Sequence, residues 1–260
     1  MIYSYYPGCT LKDRAKQLDI YARASAKALG IELCELPQWQ CCGAVYPQAS
    51  DEIASRLGAV RALMNAEEGK LVTMCSACHH VIKRTNYDWN NDRNFREHAT
   101  NYMQPEVPYD GSTQVLHFLE VLRDEVGFDE LKKKVVNPLK GRKVGAFYGC
   151  MVLRPGKVLA FDDPENPSII EDFIRALGAE PVKYPYRNEC CGAYVTLEDK
   201  SVAENLVDRA LNSAIAAGAQ ELVTACPLCM YNLVENATSH KLPVKYFTEL
   251  LAEALGVKEG

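Results

Sequence analysis

The sequence carries no excess of positive charge. Its 29 Lys and Arg face 34 Asp and Glu, a net charge of -5, which excludes a general nucleic-acid binder with a basic face. It has no long apolar run either. The longest uncharged stretch, Leu36 to Ser50, is 15 residues and holds two Pro and three Gln, too short and too polar to span a bilayer. The first residues, MIYSYYPGCT, show no basic head followed by an apolar stretch, so no secretory signal is expected and the chain reads as cytoplasmic, with attachment to a membrane complex left open. G-x-G-x-x-G, the P-loop and the C-x₂-C-x₂-C-x₃-C-P run are all missing, so no flavin, nicotinamide or ordinary cubane site is expected. Apolar residues make up 48% of the 260-residue chain and charged ones 24%, which excludes disorder.

What the chain does have is 11 cysteines. Ten form two sets that read G-C, C-C-G and C-x-x-C in the same order: Cys9, Cys41–Cys42, Cys75 and Cys78, then Cys150, Cys190–Cys191, Cys226 and Cys229. Counted from the first cysteine of each element, the spacings are 32 and 34 residues in the first set and 40 and 36 in the second. The text around them repeats as well. Tyr6-Pro-Gly-Cys9 matches Tyr148-Gly-Cys150, Cys41-Cys-Gly-Ala44 matches Cys190-Cys-Gly-Ala193, and residues 115–127 resemble residues 244–256. The chain is therefore read as a duplication, with repeats at 1–138 and 139–260. The first repeat carries 22 extra residues within about 79–114. Trp89, Tyr87, Phe95 and Tyr102 of that segment suggest a docking surface or lid, with packing of the first half's own helices as the plainer alternative.

Alternation of strand-like and helix-like segments predicts an α/β fold of two tandem Rossmann-like repeats with parallel sheets. Strands are expected at 2–6, 31–36, 71–75, 143–149, 181–185 and 221–225. Helices are expected over 11–30, 50–69, 168–178 and 197–218, and a strand–helix unit closes each half. Cys9, Cys75, Cys150 and Cys226 then follow strand ends, and both C-C-G elements lie in strand-to-helix loops, where open parallel sheets bind ligands.

One zinc ion takes four tetrahedral ligands and cannot use five thiolates. A polynuclear iron–sulfur cluster can, because it offers several metal corners and a thiolate can bridge two of them. A buried zinc, or inert core cysteines, is the plainer alternative. The doubled pattern resembles the cysteine-rich CCG domain of heterodisulfide reductase, in its B-type subunit, over nearly the whole chain. That resemblance implies two noncubane [4Fe-4S] clusters, one on Cys9, Cys41, Cys42, Cys75 and Cys78, the other on Cys150, Cys190, Cys191, Cys226 and Cys229. It further implies cleavage of a disulfide between them, such as the coenzyme M–coenzyme B heterodisulfide. Electrons would come from a ferredoxin-like iron–sulfur subunit of the C type and a flavoprotein subunit of the A type. The resemblance also extends to the cysteine-rich subunits of unusual succinate dehydrogenases and of lactate or glycolate oxidases, which pass electrons to quinone or a membrane partner.

Other residues have plainer readings. Cys34, without a counterpart, is expected to be a small buried hydrophobe. His79 and His80 are expected on a partly exposed helix face, His79 being the candidate to hydrogen-bond cluster sulfur or protonate a product thiolate. Lys12 and Arg14 after Cys9, and Arg154 and Lys157 after Cys150, are candidates to neutralise anionic centres or grip an acidic substrate. Trp39 and Tyr194 are placed to screen the thiols from water. Lys132, Lys133 and Lys134 read as a solvated face.

Overall fold

The structure, a computed structural model, describes residues 1–44 and 46–257; Val45 and the last three residues of the second repeat lie outside it. Each half builds a four-stranded, wholly parallel sheet. The first contains β1 (Ile2–Tyr6), β2 (Glu32–Glu35), β3 (Lys70–Thr73) and β4 (Gln114–His117) in the order β2-β1-β3-β4. The second contains β5 (Lys143–Phe147), β6 (Glu180–Val182), β7 (Glu221–Thr224) and β8 (Val244–Tyr246) in the order β6-β5-β7-β8. This is the duplicated α/β fold expected from the sequence.

The helices of the first half are α1 (Cys9–Lys12), α2 (Lys16–Ala28), α3 (Glu52–Ser55), α4 (Leu57–Met64), α5 (Ser76–Asn91), α6 (Arg93–Met103), α7 (Phe118–Glu120) and α8 (Phe128–Lys134). A π-helical stretch, Val121–Val126, joins the last two. Those of the second half are α9 (Gly156–Leu159), α10 (Ile169–Ala176), α11 (Lys200–Ala216), α12 (Pro227–Glu235) and α13 (Phe247–Leu255). Two expected helices are broken. The one over 11–30 stops at Lys12 and restarts at Lys16, and the one over 50–69 splits at Arg56. Asp51 caps α3 by accepting the N–H of Ala54 at 2.9 Å, while the backbone of Arg56 closes one turn and opens the next.

The halves do not bury separate cores. One apolar cluster joins Tyr5, Ala22 and Phe118 to Phe173, Phe247 and Leu251, and the other joins Tyr6 and Ile82 to Phe147 and Leu211. Helix α2 packs on α13 of the other half, and α10 packs on α7 and α8. Thr248 donates to the Leu18 carbonyl at 3.1 Å across the first contact.

The extra segment of the first half is the long α5 and the α6 that folds back on it. Trp89 (4% exposed) and Phe95 (2%) are core residues, and the Trp89 indole donates to the Tyr109 carbonyl at 3.2 Å. Only Tyr87 (46%) and Tyr102 (56%) face outward. The docking surface expected from four aromatics is corrected accordingly: two of them hold the helical hairpin together. Lys132, Lys133 and Lys134 are exposed, as expected.

Candidate metal centres

The cysteines reach one place because parallel strands end on one edge. Cys9 opens α1 three positions after the last residue of β1, and Cys150 stands at the matching place beyond β5. Cys75 and Cys226 are the N-caps of α5 and α12, with extended backbone (φ -98°, ψ 125° and φ -129°, ψ 118°), so the C-x-x-C elements wind into first helical turns. Pro227 starts α12 where no N–H is needed. Unpaired N–H groups and the helix dipole at these ends favour a thiolate.

Glycine before the first cysteine of each set is required by space. At Gly8 (φ +78°) a Cβ would lie 2.9 Å from Cys78 Sγ, and at Gly149 (φ +67°) a Cβ would lie 2.9 Å from Cys229 Sγ. The ring nearest that point is Tyr6 in one half and Phe147 in the other. The structural partner of Tyr6 is thus Phe147, while Tyr148 stands where the first half has Pro7, one position off the match drawn from the sequence. Gly8→Ala is expected to cost about 1–3 kcal/mol, because φ +78°, ψ 159° is open essentially to glycine alone. Urea unfolding measures it, and an unchanged midpoint would refute the crowding argument.

The sulfurs form an unbroken line through both halves. Cys9 Sγ lies 3.8 Å from Cys41 Sγ, and Cys42 Sγ lies 3.5 Å from Cys78 Sγ. Thiol contacts continue from Cys41 to Cys42, from Cys78 to Cys75, and from Cys75 across to Cys226 of the other half. There they run to Cys229, Cys191, Cys190 and Cys150. All are free thiols. Among the described residues no three His, Cys, Asp or Glu side chains surround a position for a single ion; the thiols are strung out instead. Cys42, Cys75, Cys78, Cys191, Cys226 and Cys229 are buried, whereas Cys9, Cys41 and Cys190 are exposed and Cys150 is half-buried. Each set therefore has a buried end at the junction and an open end at the surface.

The proton distribution follows the same line. Cys41 is held at about 2 by thiol hydrogen bonds from Cys42 and Cys9, aided by the N–H groups of Gly43 and Ala44. Cys190 is likewise held at about 2 by Cys150 and Cys191, with the N–H of Gly192 at 3.3 Å. The donors Cys42 and Cys191 are pushed up to about 12. Cys226 is lowered by bonds from Cys229 and Cys75, and Cys75 is raised as the donor.

Beneath the junction Tyr246 at the end of β8 donates to the Met74 carbonyl at 2.6 Å, with the Ala225 carbonyl at 3.2 Å. His117 holds the equivalent place at the end of β4. The N–H groups of His117 and Tyr246 each donate at 2.7 Å, to Glu120 and Glu249. Ser76 crosses the junction with two 2.9 Å bonds to the Ala225 carbonyl, one from N–H and one from Oγ. Neither the His117–Tyr246 pair nor Ser76 was singled out in the sequence; their signal was the aligned tails 115–127 and 244–256 and the residue after Cys75.

Two expected placements are corrected, those of Cys34 and His79, and the other candidates lie as follows. Cys34 is exposed, because β2 is an edge strand and Glu32 and Cys34 alternate onto its exposed face. His79 is fully buried and turned away from the thiols, with Thr73 Oγ1 3.4 Å from Nδ1 and Glu120 Oε2 3.4 Å from Nε2. Burial lowers its basicity well below the usual imidazole value, and the ring's partners are Thr73 and Glu120 rather than a thiol. His80 sits half-buried with Nδ1 3.0 Å from the Met151 carbonyl. Lys12 pairs with Glu35 at 3.0 Å and Arg14 with Asp13 at 3.4 Å. Arg154 is spent on the carbonyls of Asn188 (2.9 Å) and Pro164 (3.1 Å), and Lys157 is exposed on α9. Trp39 packs edge-on against Tyr6 with ring centres 5.5 Å apart. Tyr194 lines a cleft of about 370 Å³, open mouth included, above the second set.

Comparison with known proteins fits this geometry. The CCG family, described as a cysteine-rich domain, matches residues 3–83 and 144–234, one copy per half. The chain is similar to the 8-methylmenaquinol:fumarate reductase membrane anchor subunit of Wolinella succinogenes, at 34% identity over 98% of this chain and 92% of that protein. It is similar to the B-type subunit of the ferredoxin:CoB-CoM heterodisulfide reductase of Methanosarcina mazei, at 28% identity over 97% and 89%. A crystal structure of a hypothetical protein from Helicobacter pylori shares the fold, with a TM-score of 0.72, 11% identity, and coverage of 99% of this chain and 49% of that one. Among the described residues no helix is long and apolar enough to cross a membrane.

Proposed function

The chain belongs to the CCG cysteine-rich domain family, and on that premise we propose that it is the iron–sulfur subunit of a heterodisulfide reductase-like complex, at which a disulfide is cleaved between the two thiol sets. The observation that carries this reading is the line of ten thiols, five from each half, meeting at Cys75 and Cys226. The donor set fits the group: five soft thiolates per half exceed what one tetrahedral ion takes and suit a polynuclear iron–sulfur centre. Cys9, Cys41, Cys42, Cys75 and Cys78 would hold one, and Cys150, Cys190, Cys191, Cys226 and Cys229 the other. Two noncubane [4Fe-4S] clusters, when bound, would supply the two electrons of disulfide cleavage and an iron site for each thiolate produced.

The chain's own residues do the rest. Gly8 and Gly149 let the backbone approach Cys78 and Cys229. The N-termini of α5 and α12 stabilise negative sulfur. Cys9, Cys41 and Cys190 leave an edge of each set open to a substrate sulfur. With no dinucleotide fingerprint in the sequence, electrons come from partners of the ferredoxin-like (C type) and flavoprotein (A type) kinds, in the cytoplasm. The Wolinella succinogenes relative favours a second reading, an electron-transfer subunit that passes electrons to quinone or a membrane partner.

Anaerobically isolated protein is expected to hold about eight iron and eight sulfide. Cys34→Ala should leave that content unchanged, and Cys42→Ala or Cys191→Ala should each remove one set's share. Stoichiometric zinc without sulfide would overturn the reading. Once reduced with dithionite, the loaded protein should be reoxidised by a disulfide with release of two thiols. Reoxidation by a menaquinone analogue alone would assign it to the second reading.

A further inference from the structure

The duplication supplies an internal control, because every residue beside a thiol in one half has a counterpart in the other. After the first cysteine stand Thr10 and Met151; between the cysteines of C-x-x-C, Ala77 and Leu228; after C-C-G-A, Val45 (outside the described residues) and Tyr194. In these three pairs the second half has the larger side chain, whereas the residue before the C-x-x-C element is larger in the first half, Met74 against Ala225. Met151, Ala193, Tyr194 and Leu228 together line the cleft above Cys150, Cys190, Cys191, Cys226 and Cys229, and its walls are almost wholly apolar. The Tyr194 hydroxyl lies 3.0 Å from Met151 Sδ, joining two sides of this collar. Cys150 is half-buried where its counterpart Cys9 is exposed. Backbone donors do not separate the halves: Cys41 accepts from the N–H groups of Gly43 and Ala44 where Cys190 accepts from Gly192, but Cys226 accepts from Leu228 and Cys229 where Cys75 accepts from Cys78.

We propose that the Met151–Tyr194–Leu228 collar makes the second centre the water-poor one and holds its reduction potential below that of the first, so that an electron entering the chain comes to rest on the first. The inference rests on the iron–sulfur reading. Reduction adds negative charge to a centre, and apolar walls stabilise that charge less than water or N–H donors do. With backbone donors to sulfur evenly shared, the difference in solvent exposure decides, and it favours reduction of the first centre.

The test is an EPR-monitored potentiometric measurement on the loaded protein. Cys42→Ala and Cys191→Ala, each keeping one set, assign the two signals. The second centre is expected at the lower potential, with an electron partition of at least tenfold, about 59 mV for one electron. Replacing the collar by its first-half counterparts (Met151→Thr, Tyr194→Val, Leu228→Ala) should raise the second potential toward the first, and Tyr194→Val alone should move it the same way by less. Thr10→Met with Ala77→Leu should lower the first. Equal potentials in the unmodified protein, or a second potential unmoved by Tyr194→Val, overturn the proposal while leaving the functional reading intact. Should the chain hold no iron or sulfide, that reading fails instead. The collar is then tested on the metal-free thiols by mass spectrometry: iodoacetamide should alkylate Cys9 faster than Cys150, and equal rates would refute it.

Discussion

Arg187→Ala should destabilise the protein by about 3–5 kcal/mol, the cost of leaving a buried charge without its partner. Arg187, in the short 3₁₀ turn Pro185–Asn188, is buried, and its Nε lies 3.0 Å from Oε1 of Glu171, which is fully enclosed on α10. Glu171 also accepts the Tyr148 hydroxyl, and the Arg187 carbonyl accepts the Tyr148 N–H at 2.8 Å. Tyr148 stands two residues before Cys150 and lines the cleft, so this pair fixes the backbone that presents the first thiol of the second set. The other nitrogens of Arg187 reach Asn166 Oδ1 at 2.7 Å and the Tyr184 carbonyl at 3.3 Å. Replacing both charges, with Arg187→Met and Glu171→Leu, should recover much of the loss, because the desolvation cost disappears with the pair. A double-mutant cycle in urea measures the coupling; a value below about 1 kcal/mol, that of a solvated surface pair, would refute the assignment.

Acid should loosen the fold through His117. This imidazole is fully buried among His79, Phe161 and Phe247, with ring centres 5.4–5.6 Å away. Its Nδ1 accepts the N–H of Leu119 at 3.2 Å, which fixes the neutral form with the proton on Nε2. Burial lowers it from 6.5 to about 4. Because the folded value is the depressed one, the unfolded chain binds the proton first as pH falls. The stabilisation is complete above about pH 6.5 and is lost as pH drops through about 4, on the order of 3 kcal/mol. Glu120 and Glu171, raised by burial, work in the opposite sense. The decisive quantity is therefore the difference between wild type and His117→Phe: the variant should lose less stability between pH 7 and pH 4. His79, lowered by the same burial, leaves a residual slope. Parallel stability–pH curves would show that His117 does not titrate as its burial requires.

Where the sequence could be read and where it could not follows from the range of the interactions involved. The parallel sheets and the convergence of thiols on one edge were legible, because they follow from local alternation of strand and helix and from where parallel strands end. The breaks at Asp13–Ala15 and Arg56 were not, since apolar periodicity continues across them. Cys34 looked like core because apolar Ile31 and Leu36 flank it, but the exposed face of β2 is decided by which helices pack where. His79 looked exposed beside His80, yet its enclosure depends on Glu120 and Phe161, distant in sequence. The contact between Cys75 and Cys226 was beyond any spacing rule, because it is a contact between repeats.

The exchange of helices between the halves, α2 on α13 and α10 on α7 and α8, has a consequence for ancestry. These contacts are reciprocal, as in an interface related by a two-fold axis, where the same surface is used from both sides. The chain is in effect a homodimer written as one polypeptide. A single repeat expressed alone would leave its share of both cores uncovered, and would pair with a second copy or unfold. Covalent fusion keeps the pairing at high effective concentration and frees each copy to vary alone. An unfused dimer would have the same residues around both thiol sets; only after fusion could one set acquire Met151, Tyr194 and Leu228 while the other kept Thr10, Val45 and Ala77.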